Sequence, residues 1–551
     1  MIRLRHLLAA AVAASALMAC ATAPSAQTAP VVEAPAGSVR GETVGDIAAF
    51  KGIPYAAPPV GEMRWRPPAP AARWTGVREA TRYGAACIQP TPVIQTIYSA
   101  DIGATSEDCL TLNVWTPSAT GKAPVMVWIH GGALVTGSSK ETLYDGARLA
   151  QEGVVVVSIN YRLGVLGWLA HPDLSAESPA HISGNYGLMD QVAALEWVKR
   201  NIASFGGDPD NVTIAGESAG GLSVLYLMAS PIARGLFDRA IAQSAYMIST
   251  PELRETRHGS PAAETAGATL ARTLQAPSLR VLRGMDPQTL TDRSVMSGFA
   301  TFGVVDGAVL PRQIVDVFDR GEQAKVPVLA GYNAGEIRSL RMLAPAVPGS
   351  AADYERVIRD RYGDLADAYL RLYPSSDMQE SIFAASRDAL YGWTSDRLVR
   401  SQTEAGQPSF LYLFDHGYPA ANAAGLRAFH ASELPYMFGT LQRTPPRWPA
   451  IPDNADERRL SDAMVAYWTG FVKDGRPAAQ GAPAWPAYGT AGARMVFDAA
   501  AMPGTVTSPG MFELHEEAVR RRRAAGDQPW NWNAGLASPV LRPAAGNEAT
   551  R

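Results

Sequence analysis

Three short stretches of this chain carry residue types and spacings that could do covalent chemistry. Gly216-Glu217-Ser218-Ala219-Gly220 sets a serine between two glycines, directly after the apolar run Val212 to Ala215 and directly before a stretch rich in Ala and Leu. Strand, sharp turn and helix in that order are the context of a nucleophile elbow. The turn is so tight that side chains at Gly216 and Gly220 would collide with neighbouring backbone, while Ser218 is forced into strained dihedrals that expose its hydroxyl above a sheet. A serine hydroxyl is a poor nucleophile until a base takes its proton, so this reading demands a histidine and an acid further along. The bland alternative is a glycine-rich helix start without chemistry.

In the fold that carries such an elbow the chain order is serine, acid, histidine. Of the eight histidines, His416, His430 and His515 follow any candidate acid. His430 lies in the loop-like segment Phe429 to Tyr436, after an expected strand Phe410 to Phe414, and is the expected base. His416, directly after that strand, is the second choice, and His515 sits in a charged helical stretch. Glu336 follows the expected strand Val326 to Gly331 at a place from which a carboxylate can reach a histidine's outer nitrogen, and is the expected acid; a plain surface glutamate is the alternative. The third stretch, His130-Gly131-Gly132-Ala133, follows the run Val125 to Ile129. A developing oxyanion needs preorganised donors, and backbone N–H groups free of bulky side chains supply them. The amides of Gly132, Ala133 and Ala219 are the expected donors, against a simple glycine turn, with His130 bracing the loop. The reading calls for neither a metal nor a cofactor.

The elements that must position these residues are visible as alternation. Val125 to Ile129, Val154 to Ile159, Val212 to Ala215, Ala240 to Gln243, Val326 to Gly331 and Phe410 to Phe414 are short, apolar and rich in β-branched residues, as buried strands are. Helical patterns intervene, notably Asp190 to Ile202 and Ala219 to Ala229. Strands separated by helices predict an α/β fold with a mostly parallel sheet, in which sites gather beyond the carboxyl ends of the strands.

With 551 residues, 47% of them hydrophobic and 18% charged, the chain can bury a large core. Its net charge of -3 argues against a nucleic-acid partner bound through a broad basic surface. No repeat or internal linker divides it, so residues 38–551 read as one domain. Arg3, Arg5 and His6 precede an apolar run, Leu7 to Ala19, too short to span a bilayer, so residues 1–20 read as an export signal. Leu17-Met18-Ala19-Cys20 resembles a bacterial lipoprotein processing box, which would leave a lipid anchor at Cys20. Ordinary cleavage between Ala21 and Gln27 is the competing reading, and both place the protein in the periplasm, outside the cell or on the outer membrane of a bacterium. Residues 21–37, without periodicity, read as a flexible tether. Beyond Cys20 only Cys87 and Cys109 remain. In an oxidising compartment they make a disulfide of about 3 kcal/mol on the chain-entropy account, with unpaired buried thiols as the alternative. The basic run Arg520 to Arg523 follows Glu516 and Glu517 at helix-pair spacing and reads as a solvated helix face, and Asn211-Val212-Thr213 as a chance glycosylation match.

From about Gly37 to the carboxyl terminus the chain resembles the type-B carboxylesterases, the cholinesterase-like family of α/β-hydrolases. Phe50-Lys51-Gly52-Ile53-Pro54-Tyr55-Ala56-Ala57-Pro58-Pro59, Ser106-Glu107-Asp108-Cys109-Leu110, Asn185-Tyr186-Gly187-Leu188-Met189-Asp190-Gln191 and Phe205-Gly206-Gly207-Asp208-Pro209 are similar to that family's signatures, as are the serine and histidine segments. The resemblance implies an α/β-hydrolase fold with a large, mostly parallel sheet, hydrolysis of a small-molecule ester, Ser218, Glu336 and His430 as triad, and a Cys87–Cys109 bridge. With two glycines and then Ala133 and Leu134 in the oxyanion loop, it also implies room for esters of bulky, even tertiary, alcohols. The chain departs from the family in three ways. The acid stands between Gly335 and Ile337 instead of Asp and Gly, the segment Ile88 to Asp108 has no tryptophan to hold a choline cation, and no cysteine follows Cys109. The alternatives are an amidase or thioesterase on the same machinery, or a binding protein of the same fold without catalysis.

Overall fold

The computed structural model describes residues 29–543, apart from 93, 490–491, 506–507 and 531–533. The stretch read as an export signal, with Cys20, lies outside the described residues.

Among those residues, one mixed sheet holds eleven strands. In chain order these are β1 (Glu42–Val44), β2 (Ile47–Pro54), β3 (Thr111–Thr116), β4 (Ala123–Ile129), β5 (Val155–Ile159), β6 (Gly207–Glu217), β7 (Arg239–Gln243), β8 (Val328–Asn333), β9 (Ser409–Phe414), β10 (Arg494–Phe497) and β11 (Ala501–Gly504). Across the sheet they run β11-β10-β9-β8-β7-β6-β4-β5-β3-β2-β1. From β10 to β5 every pairing is parallel, and the flanks are antiparallel. The six apolar runs of the sequence fall on β4 to β9. The antiparallel strands escaped that reading because β2 carries Gly52 and Pro54, and β3 carries Thr111, Asn113 and Thr116. Tertiary partners satisfy the polar groups: Asn113 Oδ1, for example, accepts from the Gly52 amide at 3.0 Å.

Alternation along the strands sorts two cores. Val125, Val127 and Ile129 pack on one face with Leu195 of helix α1 (Tyr186–Asn201) and Leu222 of α2 (Ala219–Ala229). Met126 and Trp128 pack on the other with Met464 and Trp468 of α3 (Ala455–Asp474). Every residue of α2 is buried; at about 2 kcal/mol for each Leu or Val side chain, it is held by the core on all sides rather than by one apolar stripe. Polar ties lock α1 in place. Asp190 forms a bidentate, fully buried pair with Arg162 after β5, at 2.8 and 2.7 Å, and Gln191 donates to Ser223 of α2 at 3.0 Å. Removing one partner of such a buried pair costs about 3–5 kcal/mol.

The described part of the stretch read as a tether, residues 21–37, departs from that reading at its end. Val31–Ala34 is a strand paired antiparallel with Gly37–Arg40, and Val32 and Ala34 are buried. Alternation over only four residues buries two small side chains, too short a pattern to stand out in an Ala- and Pro-rich stretch. The basic run departs too. Arg520 is exposed and pairs with Glu517, but Arg521 reaches Asp364, Arg522 is buried against Ser538 and Trp530, and Arg523 bonds Asp316 and Asp319. Three of the four guanidinium groups therefore clamp neighbouring segments onto the helix.

Candidate active site

The carboxyl end of β6 runs straight into the elbow. Ser218 has φ 56° and ψ -120°, and its amide donates to the Gln243 carbonyl at 3.0 Å. A Cβ on Gly216 would lie 2.5 Å from Gly220 backbone, and one on Gly220 would lie 2.0 Å from the Ile129 carbonyl oxygen, so both flanking glycines are sterically required. Ten non-glycine residues have positive φ among the described residues, and Ala133, Leu134, Ser218, Ser244 and Ala431 of that set all border this site. At about 1–3 kcal/mol each, such strain persists only where surrounding structure over-determines it.

The loop expected to hold the oxyanion, from His130 to Ala133, packs directly against the elbow. A Cβ on Gly131 would meet Ser218 Cβ at 3.2 Å and the Glu217 carbonyl at 2.9 Å. The amides of Gly132, Ala133 and Ala219 donate to no other group among the described residues. His130 stacks on Tyr161 with ring centroids 4.6 Å apart, and its Nδ1 lies 2.9 Å from the Gly131 carbonyl. Burial pulls its imidazole down to about 4, so it is neutral and braces the loop.

His430 and Glu336 meet across β8 and β9. Glu336 Oε2 is hydrogen-bonded to His430 Nδ1. Its other oxygen accepts from Ser244 Oγ at 2.6 Å and from the Asn333 amide at 2.8 Å, which leaves the carboxylate fully buried and held on both sides. Gly335, which stands where the resembling family has Asp, is required by packing here. Its amide donates to the Ala428 carbonyl at 2.7 Å, and a Cβ there would come within 2.8 Å of Leu426 and Ala428 oxygens. His416 lies elsewhere, bonded to Glu457 at 2.8 Å, and His515 is paired with Tyr373 at 2.9 Å.

Sequence reasoning missed two carboxylates. Glu217, the residue before the serine, places Oε1 3.1 Å from His430 Nε2 without the alignment of a hydrogen bond. Ser218 Oγ makes no hydrogen bond among the described residues. Glu433, three residues after the histidine, accepts from Gln243 at 3.0 Å and from Asn333 at 2.6 Å. Burial pushes Glu217 up to about 8; burial, helped by the charge of Glu336, pushes Glu433 up to about 7. Burial pulls His430 down, but the charges of Glu217 and Glu336 outweigh it and raise the imidazole to about 9. These side chains share protons and titrate as one set. Their signal was the unassigned second position of the serine motif and a glutamate one helical turn from the histidine.

Two tyrosines complete the surroundings. Tyr98, in the loop between Cys87 and Cys109, packs edge-on to His430 with centroids 6.4 Å apart, and its hydroxyl donates within 2.7 Å of Ser339 Oγ and 3.0 Å of the His430 carbonyl. Cys87 and Cys109, which close that loop, are bonded to each other. Tyr391 lies in a π-helical turn, Asp388–Gly392, with its ring 5.4 Å from His430 and 6.1 Å from Tyr246. Such turns are often found at functional sites.

The sequence matches the model of the carboxylesterase family over residues 28–506. It is 38% identical to a fumonisin B1 esterase of Sphingopyxis macrogoltabida over 84% of this chain and 85% of that one. It is 36% identical to a para-nitrobenzyl esterase of Bacillus subtilis over 82% and 91%. Among solved structures, a PNB esterase superposes with a TM-score of 0.77 at 32% identity, covering 88% of this chain and 99% of that one. A Geobacillus stearothermophilus carboxylesterase superposes with 0.75 at 34%, covering 90% and 99%. These solved structures share the α/β-hydrolase fold.

Proposed function

The chain belongs to the carboxylesterase family, and on that premise we propose that this carboxylic ester hydrolase works through an acyl-enzyme on Ser218, with His430 as base and Glu336 as the carboxylate that orients it. The bond between Glu336 Oε2 and His430 Nδ1 carries the reading. It leaves Nε2 as the free nitrogen, on the side of the elbow.

His430 Nε2 takes the Ser218 hydroxyl proton as Oγ attacks the ester carbonyl carbon. The carbonyl π electrons move to oxygen, and the resulting oxyanion accepts from the amides of Gly132, Ala133 and Ala219. Collapse breaks the bond to the alcohol oxygen, which leaves with the proton from Nε2. Water then attacks the acyl-enzyme, gives its proton to Nε2, and the acid departs as Ser218 regains a proton. In the resting geometry Nε2 faces Glu217, and catalytic hydrogen bonds often tighten only once substrate is bound.

The same reading extends to location. A bridge between Cys87 and Cys109 favours an oxidising compartment, which agrees with an exported enzyme, periplasmic, secreted or anchored at Cys20.

Replacing Ser218 tests the mechanism. Ser218→Ala is expected to fold and to lose several orders of magnitude in kcat, because triad members act as a unit, and an active-site phosphonate is expected to label the Ser218 peptide. An active variant, or label on another residue, overturns the reading.

A further inference from the structure

A cavity of about 340 Å³ lies between the helix Ala263–Thr273 and the segment 297–304. Neither Ser218 nor His430 lines it, and none of its described lining residues is charged. It sits where three apolar clusters meet without filling the space between them. Trp168 and Phe302 belong to the main core, Leu270 and Phe299 to a second cluster, and Ala170, Ala263 and Val304 to a third.

The walls are fixed in place. Gly267 brings the helix so close to the chain that a Cβ would lie 1.8 Å from the Ala170 carbonyl oxygen. On the other wall a Cβ on Gly303 would lie 2.8 Å from the Tyr226 ring. Asn185 donates to the Val304 carbonyl at 2.7 Å and accepts from its amide at 2.9 Å. Backbone held by such contacts cannot collapse to fill the void, so the cavity is preformed, at a size usual for small-molecule sites.

Its chemistry is selective. At the exposed rim, Thr269 and Thr273 donate their hydroxyls to the carbonyls of Thr265 and Thr269 in their own helix, and Arg272 donates to the Thr269 hydroxyl at 3.0 Å. With no charged residue among its described lining residues, this mainly apolar surface penalises any charged ligand seated inside it, which would lose its hydration without compensation.

We propose that this cavity is a second ligand site, distinct from Ser218, for an uncharged and mainly apolar small molecule. The probe is an alkanol bearing a photoreactive diazirine, irradiated with the full-length enzyme, and the labelled peptides are read by mass spectrometry. Label is expected within Ala263–Thr273 and Ser297–Val304. 1-Octanol is expected to displace it at a concentration at least tenfold below octanoate, with competition strengthening about fourfold per added methylene. Ala266→Trp, which fills the cavity, and Thr269→Arg, which places a charge at its exposed rim, are each expected to abolish that label with ester hydrolysis unchanged. Label absent from both segments, displacement by octanoate equal to that by octanol, or label retained in both variants overturns the proposal. Because the exposed Thr269 position tolerates a long side chain, its variant decides the matter even if Ala266→Trp fails to fold.

Discussion

Glu217 holds a carboxylate oxygen 3.1 Å from the Nε2 of His430, the nitrogen that the acyl-enzyme route turns toward Ser218. A carboxylate there favours the charged imidazolium, which could not accept the serine proton that the proposed route assigns to it. Glu217→Gln removes the charge and keeps the shape. With it gone the imidazole becomes less basic, and the free base persists to lower pH. The acidic limb of the kcat/KM profile is therefore expected to move down by about one unit. An unmoved limb in an active, folded variant would show that Glu217 does not set the basicity of His430.

Glu336→Gln keeps the volume beside His430 Nδ1 and removes the charge that favours the imidazolium of the transition state. A loss in kcat of at least a hundredfold with little change in KM is expected, because in the proposed mechanism the carboxylate acts in the transition state and not on bound substrate. Near-normal turnover would move the role to Glu433 or Glu217.

The Cys87–Cys109 bridge closes the loop that presses Tyr98 against His430. Replacing both cysteines by serine is expected to cost about 3 kcal/mol of unfolding free energy and to lower kcat as Tyr98 loosens. Intact mass before and after reduction tests the bridge directly, and two thiols freely alkylated under native conditions would refute it. The same spectrum reads the amino terminus, where acyl mass on Cys20 distinguishes an anchored chain from one cleaved further on.

Ala133 and Leu134 both take left-handed backbone, with φ 57° and 61°. That turn can draw the loop's carbonyls away from the alcohol side of an ester, but the Ala133 Cβ resists it. Slow, measurable hydrolysis of tert-butyl acetate is expected beside fast hydrolysis of short primary esters, with Ala133→Gly raising the tertiary rate alone. Complete inactivity of both proteins on the tertiary ester would show that another residue closes the alcohol side.

His130 and His515 are buried, and burial holds both imidazoles down at about 4. A group depressed in the folded state stabilises the fold fully above its unfolded value near 6.5 and loses that contribution as pH falls toward 4. Urea unfolding at pH 5 is expected to show about 2 kcal/mol less stability per histidine than at pH 7, and His515→Gln is expected to flatten the slope by about half. A slope unchanged in that variant would assign the acid sensitivity to other groups.

What could be read from residue order was whatever depends on neighbours in the chain. Strands buried on both faces must be apolar and β-branched, so β4 to β9 stand out. A turn that throws a serine above a sheet needs glycine on both sides, so Gly216 and Gly220 mark Ser218. The aliphatic helix after it betrays itself by having no polar face. What folding alone decided is the convergence of groups far apart in sequence. Ser244 reaches Glu336 across 92 positions and Gln243 reaches Glu433 across 190, because β7, β8 and β9 are laid side by side and their carboxyl ends open on one place. Glu217 reads as an indifferent residue until the histidine loop is folded over it, and the rise of its carboxyl comes from burial, which no local pattern encodes. The strand at Val31–Ala34 and the clamping arginines Arg521 to Arg523 escaped for the same reason: their partners lie in other segments, and only tertiary packing supplies them.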